Sequence, residues 1–342
     1  MSDMTTERPG RKGARLTATF GILCYNQAPF VRETIRSAVS QTHDPLEIVI
    51  CDNASPDDSW EQISDEVETQ GINRGIVAFR SPENKGIPDG LKRIVEKMTG
   101  DVFVASSADD ASRPQRVARI MSLFDGNPDL LGACSNAMVV NRTGEEMSLY
   151  LTGKTSRELT ALDVVNGAPV LGATAVWHRK LFEFFGPLNP GVVHEDRALA
   201  FRAALLGKMV YLDEDLVLYR VHGNNLQMGE LAAFRTHDEY FASIRRYHAS
   251  GVPLYEGMIS DLETYEAAFG SPPDAAAIKA ALNYGLSGNK LEIELFERPK
   301  AYALFAILRR FARGEIKAKR AIRWLGWFSF PAAYFWALKK TG

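Results

Sequence analysis

The sequence predicts an α/β fold with a mainly parallel central sheet flanked by helices, followed by a C-terminal helical extension. Three observations carry that prediction. Apolar, β-branched runs alternate with helix-patterned runs through the first half of the 342 residues, and such alternation produces right-handed βαβ units. Polar residues with useful chemistry cluster where the apolar runs end. From about Leu231 onward the pattern turns helical, basic and aromatic.

The elements follow in order. "LTATFGILCYN" is an apolar strand, and "FVRETIRSAVSQ" a helix with Val31, Ile35 and Val39 on one face. "LEIVICDNAS" reads as a buried strand and "DDSWEQISDEVE" as the helix behind it. "GIVAFRS" makes a third strand, "DGLKRIVEKMTG" a third helix closed by Gly100, and "DVFVASS" a fourth strand. The second half is less regular. "LLGACSNAMVV" and "VLGATAVWHR" read as strands, "EDRALAFRAALLG" as a helix, and "KMVYLDEDLVLYRVH" as a strand pair or one bent strand. Three regions result: a disordered leader over 1–15, an α/β domain over 16–230 and a helical extension over 231–342.

Hydrophobic content of 46% and charged content of 24% suit a soluble chain that buries a proper core. A formal net charge of -2 leaves no basic excess for general nucleic-acid binding. Cys24, Cys51 and Cys134 lie in apolar runs without metal-ligand spacing, which reads as buried reduced thiols in a cytoplasmic protein. The opening residues, "MSDMTTERPGRKGAR", lack the apolar core of a signal peptide. The charge-free, aromatic-rich stretch from Trp324 to Leu338 would reach only roughly 22 Å as a helix, short of the ~30 Å hydrocarbon core.

In parallel α/β sheets ligands bind beyond the carboxyl ends of the strands, where Asn26, Asp52 and Asp109 fall. "SSADDASRP" sets Asp109 beside Asp110 as a buried strand empties into a turn. Either Ser112 or Asp110 caps the next helix, or the carboxylates hold a cation such as Mg2+ or Mn2+ against substrate phosphates. Asp52, in "CDNASPDD", stands where a carboxylate accepts hydrogen bonds from a nucleobase or ribose. Glu195 and Asp196 open a helix, where acids serve either as dipole partners or in chemistry. Arg220 and His222 end a strand in "LVLYRVHGNN".

Together these stretches, with "SPENKGIPDG", resemble the family-2 glycosyltransferases of the GT-A (nucleotide-diphospho-sugar transferase) fold, in register from about Leu16 to Asn225. The resemblance implies a nucleotide-sugar donor, a UDP-sugar favoured, and a divalent metal, Mg2+ or Mn2+, at an Asp-x-Asp element. It also implies an acidic base and inversion at the anomeric carbon. Carried over residue by residue, Tyr25, Asn26 and Asp52 contact the nucleoside, with Lys85 nearby. Asp109 matches the last carboxylate of Asp-x-Asp and binds the metal. Asp196 matches the base, Glu195 orients acceptor or loop, and His222 adds a metal or diphosphate contact. The first aspartate of the element is Ser107 here, an uncharged donor-side group; Asp110 is the residue available to compensate. The acceptor implied is a glycan or lipid-linked hydroxyl, in surface polysaccharide or glycolipid synthesis at the inner face of the cell membrane.

Rival chemistries fit less well. A dinucleotide-binding oxidoreductase needs G-x-G-x-x-G after the first strand, where this chain has "CYNQAP". "TGKTS" imitates a P-loop, but Ser148 stands where its first glycine belongs. A nucleotidyltransferase of similar geometry and a non-catalytic sugar-nucleotide-binding subunit remain open. The tail has two readings as well. Lys317, Lys319, Arg320 and Arg323, interleaved with Trp324, Trp327, Phe328 and the aromatics that follow, predict a peripheral membrane contact over 315–340. The competing reading is a helix pair packed on the catalytic domain.

Overall fold

The apolar run near the start forms strand β1 (Ala18–Cys24) of the computed structural model, which describes residues 15–70, 75–222, 236–313 and 318–329. Six of its seven residues are buried without alternation, as befits a strand covered on both faces. The chain then alternates as predicted: α1 (Val31–Val39), β2 (Leu46–Asp52), α2 (Ser59–Gln70), β3 (Ile76–Arg80), α3 (Ile87–Lys97) and β4 (Val102–Ser107). Strands β2 and β4 flank β1 in parallel, and β3 extends the sheet beside β2. Val31 and Ile35 of α1 are buried with Thr34 and Ala38; Val39 is half-buried at the edge of that face.

A two-residue strand β5 (Ala111–Ser112), α4 (Arg116–Asp125) and the long β6 (Leu130–Val140) come next. They are followed by β7 (Glu146–Leu149), β8 (Arg157–Leu159), α5 (Ala161–Val165), β9 (Val176–His178), α6 (Lys180–Phe185), α7 (Glu195–Leu206) and β10 (Lys208–Arg220). Along the sheet the order is β3-β2-β1-β4-β9-β6-β10-β5. Strand β9 runs antiparallel between β4 and β6, while β10 pairs β6 in parallel, so most of the central strands share one direction.

Two local readings need correcting, and one open alternative resolves. "VLGATAVWHR" is not one strand: Gly172–Thr174 is a 3-10 turn, and only Val176–His178 joins the sheet. Gly100 does not close α3, which stops at Lys97; a Cβ there would lie 2.6 Å from the Thr19 hydroxyl and 2.9 Å from the Ala18 backbone, so close approach requires the glycine. "KMVYLDEDLVLYRVH" is one bent strand, with register shifts around Asp215.

The C-terminal helices are α8 (His237–Phe269), α9 (Ala275–Glu297), α10 (Lys300–Ala312) and α11 (Ala318–Ser329). Leu254, Met258 and Leu262 of α8 and Ile278 and Leu282 of α9 share a core with Val164 of α5 and Leu199 of α7. A buried ion pair, Arg202 to Asp261 at 2.8 Å, ties α7 to α8. Helices α10 and α11 close a second core with Ile244, Leu291 and Leu295. Trp324, Trp327 and Phe328, expected at a bilayer interface, are buried in that core, and the Trp324 indole N–H donates to Glu292 at 2.9 Å. The leader, the 230/231 boundary and the tail beyond Ser329 lie outside the described residues. Among the described residues no helix is long and apolar enough to cross a membrane. The three cysteines are buried and free.

Candidate active site

The first corner of the site lies where β1 and β2 end. Asp52 is fully buried. Its Oδ2 receives the Arg80 guanidinium at 3.0 Å and the Ser55 N–H at 3.3 Å, whereas its Oδ1 has no partner among the described residues. A buried carboxylate oxygen without a donor is costly unless a ligand supplies one. Asn26 adopts a positive φ of 58°, which asparagine tolerates, and its N–H donates to the Ser55 hydroxyl. Tyr25 beside it is exposed. Lys85 sits in a loop pinned to β2 by the Asn53 amide, which donates to Asn84 and to the Gly86 carbonyl. Its own ammonium is exposed and paired with Glu83 at 2.6 Å.

The second corner follows β4. Asp109 Oδ2 lies 3.0 Å from His222 Nε2 and accepts the Gln27 amide at 3.3 Å. Asp110 points the other way. It is sealed in, with Oδ1 accepting the Arg220 N–H at 2.8 Å. Burial and then the charge of Asp109 push its carboxyl well up, against the pull of Arg116 and Arg220. Burial also drives the Arg116 guanidinium down to about 9, with Asp110 opposing. Neither Ser112 nor Asp110 caps the next helix: α4 starts at Arg116, its N-cap is Gln115, and the Ser112 hydroxyl accepts from Arg116 instead. The structure therefore joins Asp109, and not Asp110, to His222. Ser107 is exposed at the end of β4.

Arg220 holds this turn together. Its Nε donates to the Asp109 carbonyl at 2.9 Å, its other nitrogens reach the carbonyl of Arg142 and the Glu33 carboxylate, and its plane lies over Phe30. Phe30 also packs on the His222 ring, 4.9 Å between centroids. Among the described residues no three His, Cys, Asp or Glu side chains form a metal cage. A carboxylate–imidazole pair nevertheless fits a divalent ion whose remaining positions are taken by water and phosphate.

The third corner is the start of α7. Asp196 Oδ1 accepts the Arg197 N–H at 2.7 Å and Oδ2 the Gly172 N–H at 3.1 Å. The 3-10 turn misread as strand thus positions Asp196. Gly172 has no room for a side chain, since a Cβ would meet Glu195 Oε1 at 2.7 Å. Both acids are half-buried by exposed area yet closely packed round by protein. Burial first, and the neighbouring Asp196 charge second, push the Glu195 carboxyl up to about 8. Burial raises Asp196 too, but the Arg197 and Gly172 N–H groups and the Arg197 charge counter it. Of the two adjacent carboxyls, Glu195 is thus the one held protonated, while Asp196 has the N–H donors that favour its charged form.

Tyr219 stands at the same strand end as Arg220. It follows Leu218, which pairs Ala111, and precedes Arg220. Its phenol is driven up by burial and by the charges of Asp110, Asp109 and Asp196 together, and its ring meets Tyr150 edge-on at 5.6 Å. Sequence reasoning missed Tyr219, Arg80, Gln27 and Gly172. Only Tyr219 carried a signal, as the polar aromatic beside Arg220 at a strand end.

A mostly parallel sheet with these carboxylates along one edge has the architecture of a nucleotide-sugar transferase fold. Residues 19–183 match the family model "Glycosyl transferase family 2", so that stretch is a family-2 glycosyltransferase domain, and the fold is GT-A. An uncharacterized glycosyltransferase of Nostoc sp. is 27% identical over 218 residues, covering 61% of this chain and 66% of the relative. One of Haemophilus influenzae is 24% identical over 217 residues, covering 59% and 65%. The chain thus spans just under two thirds of the length of these relatives. In fold it is similar to S. aureus TarS, solved with UDP-GlcNAc, with TM-score 0.54, 12% identity and coverage of 95% of this chain and 91% of that one. It is also similar to the mannosyltransferase PcManGT of Pyrobaculum calidifontis, solved with GDP-Man and Mn2+, with TM-score 0.52, 16% identity and coverage of 96% and 87%.

Proposed function

We propose that this glycosyltransferase moves a sugar, with inversion, from a nucleoside-diphosphate donor to a hydroxyl of a glycan or lipid-linked acceptor. The observation that carries the reading is the pairing of Asp196, held by two backbone N–H groups, with a Glu195 pushed up to about 8. Asp196, its charged form supported by the Arg197 and Gly172 N–H groups, takes the proton of the attacking acceptor hydroxyl, while neutral Glu195 orients acceptor or loop. The free Oδ1 of Asp52 accepts from the nucleobase or ribose, with Tyr25, Asn26 and Lys85 around the nucleoside. Asp109 and His222 hold Mg2+ or Mn2+ at the diphosphate, and Ser107 contributes a hydroxyl there. Bound there, the ion neutralises charge that develops on the leaving diphosphate. Asp110 supports the turn from within. No enzyme nucleophile is needed for a single displacement.

The donors named with TarS and PcManGT, UDP-GlcNAc and GDP-Man, favour a hexosyl or N-acetylhexosaminyl nucleotide, a UDP-sugar first. We assign the activity to surface polysaccharide or glycolipid synthesis on the cytoplasmic face of the cell membrane. Ser107 favours a second reading, a subunit that holds donor without turning it over. One experiment separates the two. A panel of radiolabelled nucleotide sugars is screened with manganese by thermal shift and by release of free or transferred sugar. A bound donor at hundredfold excess over its Kd raises stability by about 2.7 kcal/mol. Stabilisation with turnover supports the transferase, stabilisation without turnover the binding subunit, and no response to any donor overturns both.

A further inference from the structure

Helix α10 has two apolar faces, and folding needs only one. Ala303 and Ile307 face inward and are fully buried in the core shared with α9 and α11. On the outward side Phe305 is 65% exposed, Leu308 53% and Phe311 47%, and Ile322 of the neighbouring α11 is 68% exposed. Phe305, Leu308 and Ala312 recur at three- and four-residue intervals, so they share one stripe. A helix that is apolar toward its core and again toward water carries a surface meant for something else.

Charge identifies what covers it. Between Arg298 and Ser329 the sequence has nine Lys and Arg and a single acid, Glu315. The rest of the chain then holds 31 basic and 41 acidic residues, from totals of 40 and 42. Arg309 and Arg313 directly follow Leu308 and Ala312, bordering the stripe with guanidinium groups. A second copy of the chain would bring the same cationic face against itself, which like-charge repulsion opposes. An anionic bilayer offers both complements at once, acyl chains for the Phe and Leu side chains and headgroups for the arginines.

We propose that the outer face of α10, extended by Ile322, docks in the plane of an anionic membrane surface. Trp324 and Trp327 of α11 are core residues, so among the described residues the surface for such a contact lies on α10. This docking is independent of the transferase reading and is tested apart from it.

Full-length protein is sedimented with vesicles of phosphatidylcholine alone or mixed with phosphatidylglycerol, at low and physiological salt. It should pellet with the anionic vesicles, and roughly tenfold less with the neutral ones. Phe305→Asp with Leu308→Asp should abolish binding, and each of Arg309→Gln and Arg313→Gln should weaken it roughly fivefold. Melting temperatures should match the wild type, because all four side chains are exposed or bordering; if the aspartates lower it, the serine pair carries the same expectation. Wild-type protein that ignores anionic vesicles at low salt overturns the proposal, as does unchanged binding by the aspartate pair. So does a dimer in analytical ultracentrifugation that the aspartate pair dissolves, which would make the face a self-association surface.

Discussion

Asp196→Asn and Glu195→Gln separate the roles of two adjacent acids. Asparagine keeps the shape of Asp196 but has one carbonyl oxygen where the carboxylate has two. Either the Arg197 or the Gly172 N–H then loses its acceptor, at a cost of about 1–3 kcal/mol in stability. The chemical loss is larger: removing the general base should lower kcat by ~10²-fold or more with donor affinity nearly intact. Glu195 behaves differently. With its carboxyl pushed from 4.5 to about 8, the folded protein keeps a proton there that the unfolded chain has already released. Stability contributed by that proton is complete below pH 4.5 and is lost as pH rises to about 8. At roughly 1.4 kcal/mol per pH unit, the loss is on the order of a few kcal/mol. Melting temperature should therefore fall between pH 5 and 8 in the wild type, and much less in Glu195→Gln, which mimics the neutral acid and keeps most activity at pH 7. Differential scanning fluorimetry across pH, with steady-state kinetics at pH 7, reads both effects. A crippled Glu195→Gln beside an active Asp196→Asn would reverse the roles, and a flat wild-type profile would refute the displaced Glu195.

Three further outcomes follow from the other corners. Excess chelator should abolish transfer and Mn2+ restore it, while Asp109→Ala weakens donor binding at fixed metal; turnover that survives chelation removes the metal from the scheme. Asp52→Ala should raise donor KM more than it lowers kcat if, as proposed, its unpartnered oxygen serves the nucleoside; an unchanged KM would reduce Asp52 to a partner for Arg80. Tyr219→Phe deletes a hydroxyl that feels the charges of Asp110, Asp109 and Asp196, and if it serves the substrate it should lower kcat/KM by roughly 5- to 10-fold, the worth of one hydrogen bond, at unchanged melting temperature. Wild-type kinetics in that variant would leave Tyr219 a packing residue.

How much of this was legible depended on the range of the interaction. Strands β1, β2 and β4 were plain, because buried parallel strands write themselves as unbroken apolar runs. Their carboxyl ends, with Asn26, Asp52 and Asp109, followed from alternation alone. The stretch 170–179 failed because a 3-10 turn and a three-residue antiparallel strand together look like one apolar strand. The residues alone did not order Asp109 and Asp110, though the family resemblance put Asp109 first: neighbours in a turn point opposite ways, and which one turns inward is decided by Arg220, 110 residues further on. Trp324 and Trp327 misled for a related reason. Aromatic and basic residues in alternation have the same composition in an interfacial helix and in a buried one, and only Glu292 and the α9 side chains distinguish the cases.

Arg220 explains why those long-range contacts matter for the site. The loop after β4 carries two carboxylates whose mutual repulsion favours splaying, and neither caps the helix that follows. One residue at the end of β10 opposes that. Its backbone N–H fixes the Asp110 carboxylate inward and its guanidinium fixes the Asp109 carbonyl, so the remaining carboxylate can turn only toward His222 and Gln27. The same strand end carries Tyr219 and, two residues beyond Arg220, His222. The end of β10 therefore fixes the Asp109 turn through Arg220 and His222, so the placement of that carboxylate is imposed from a strand distant in sequence and does not depend on a second carboxylate at position 107.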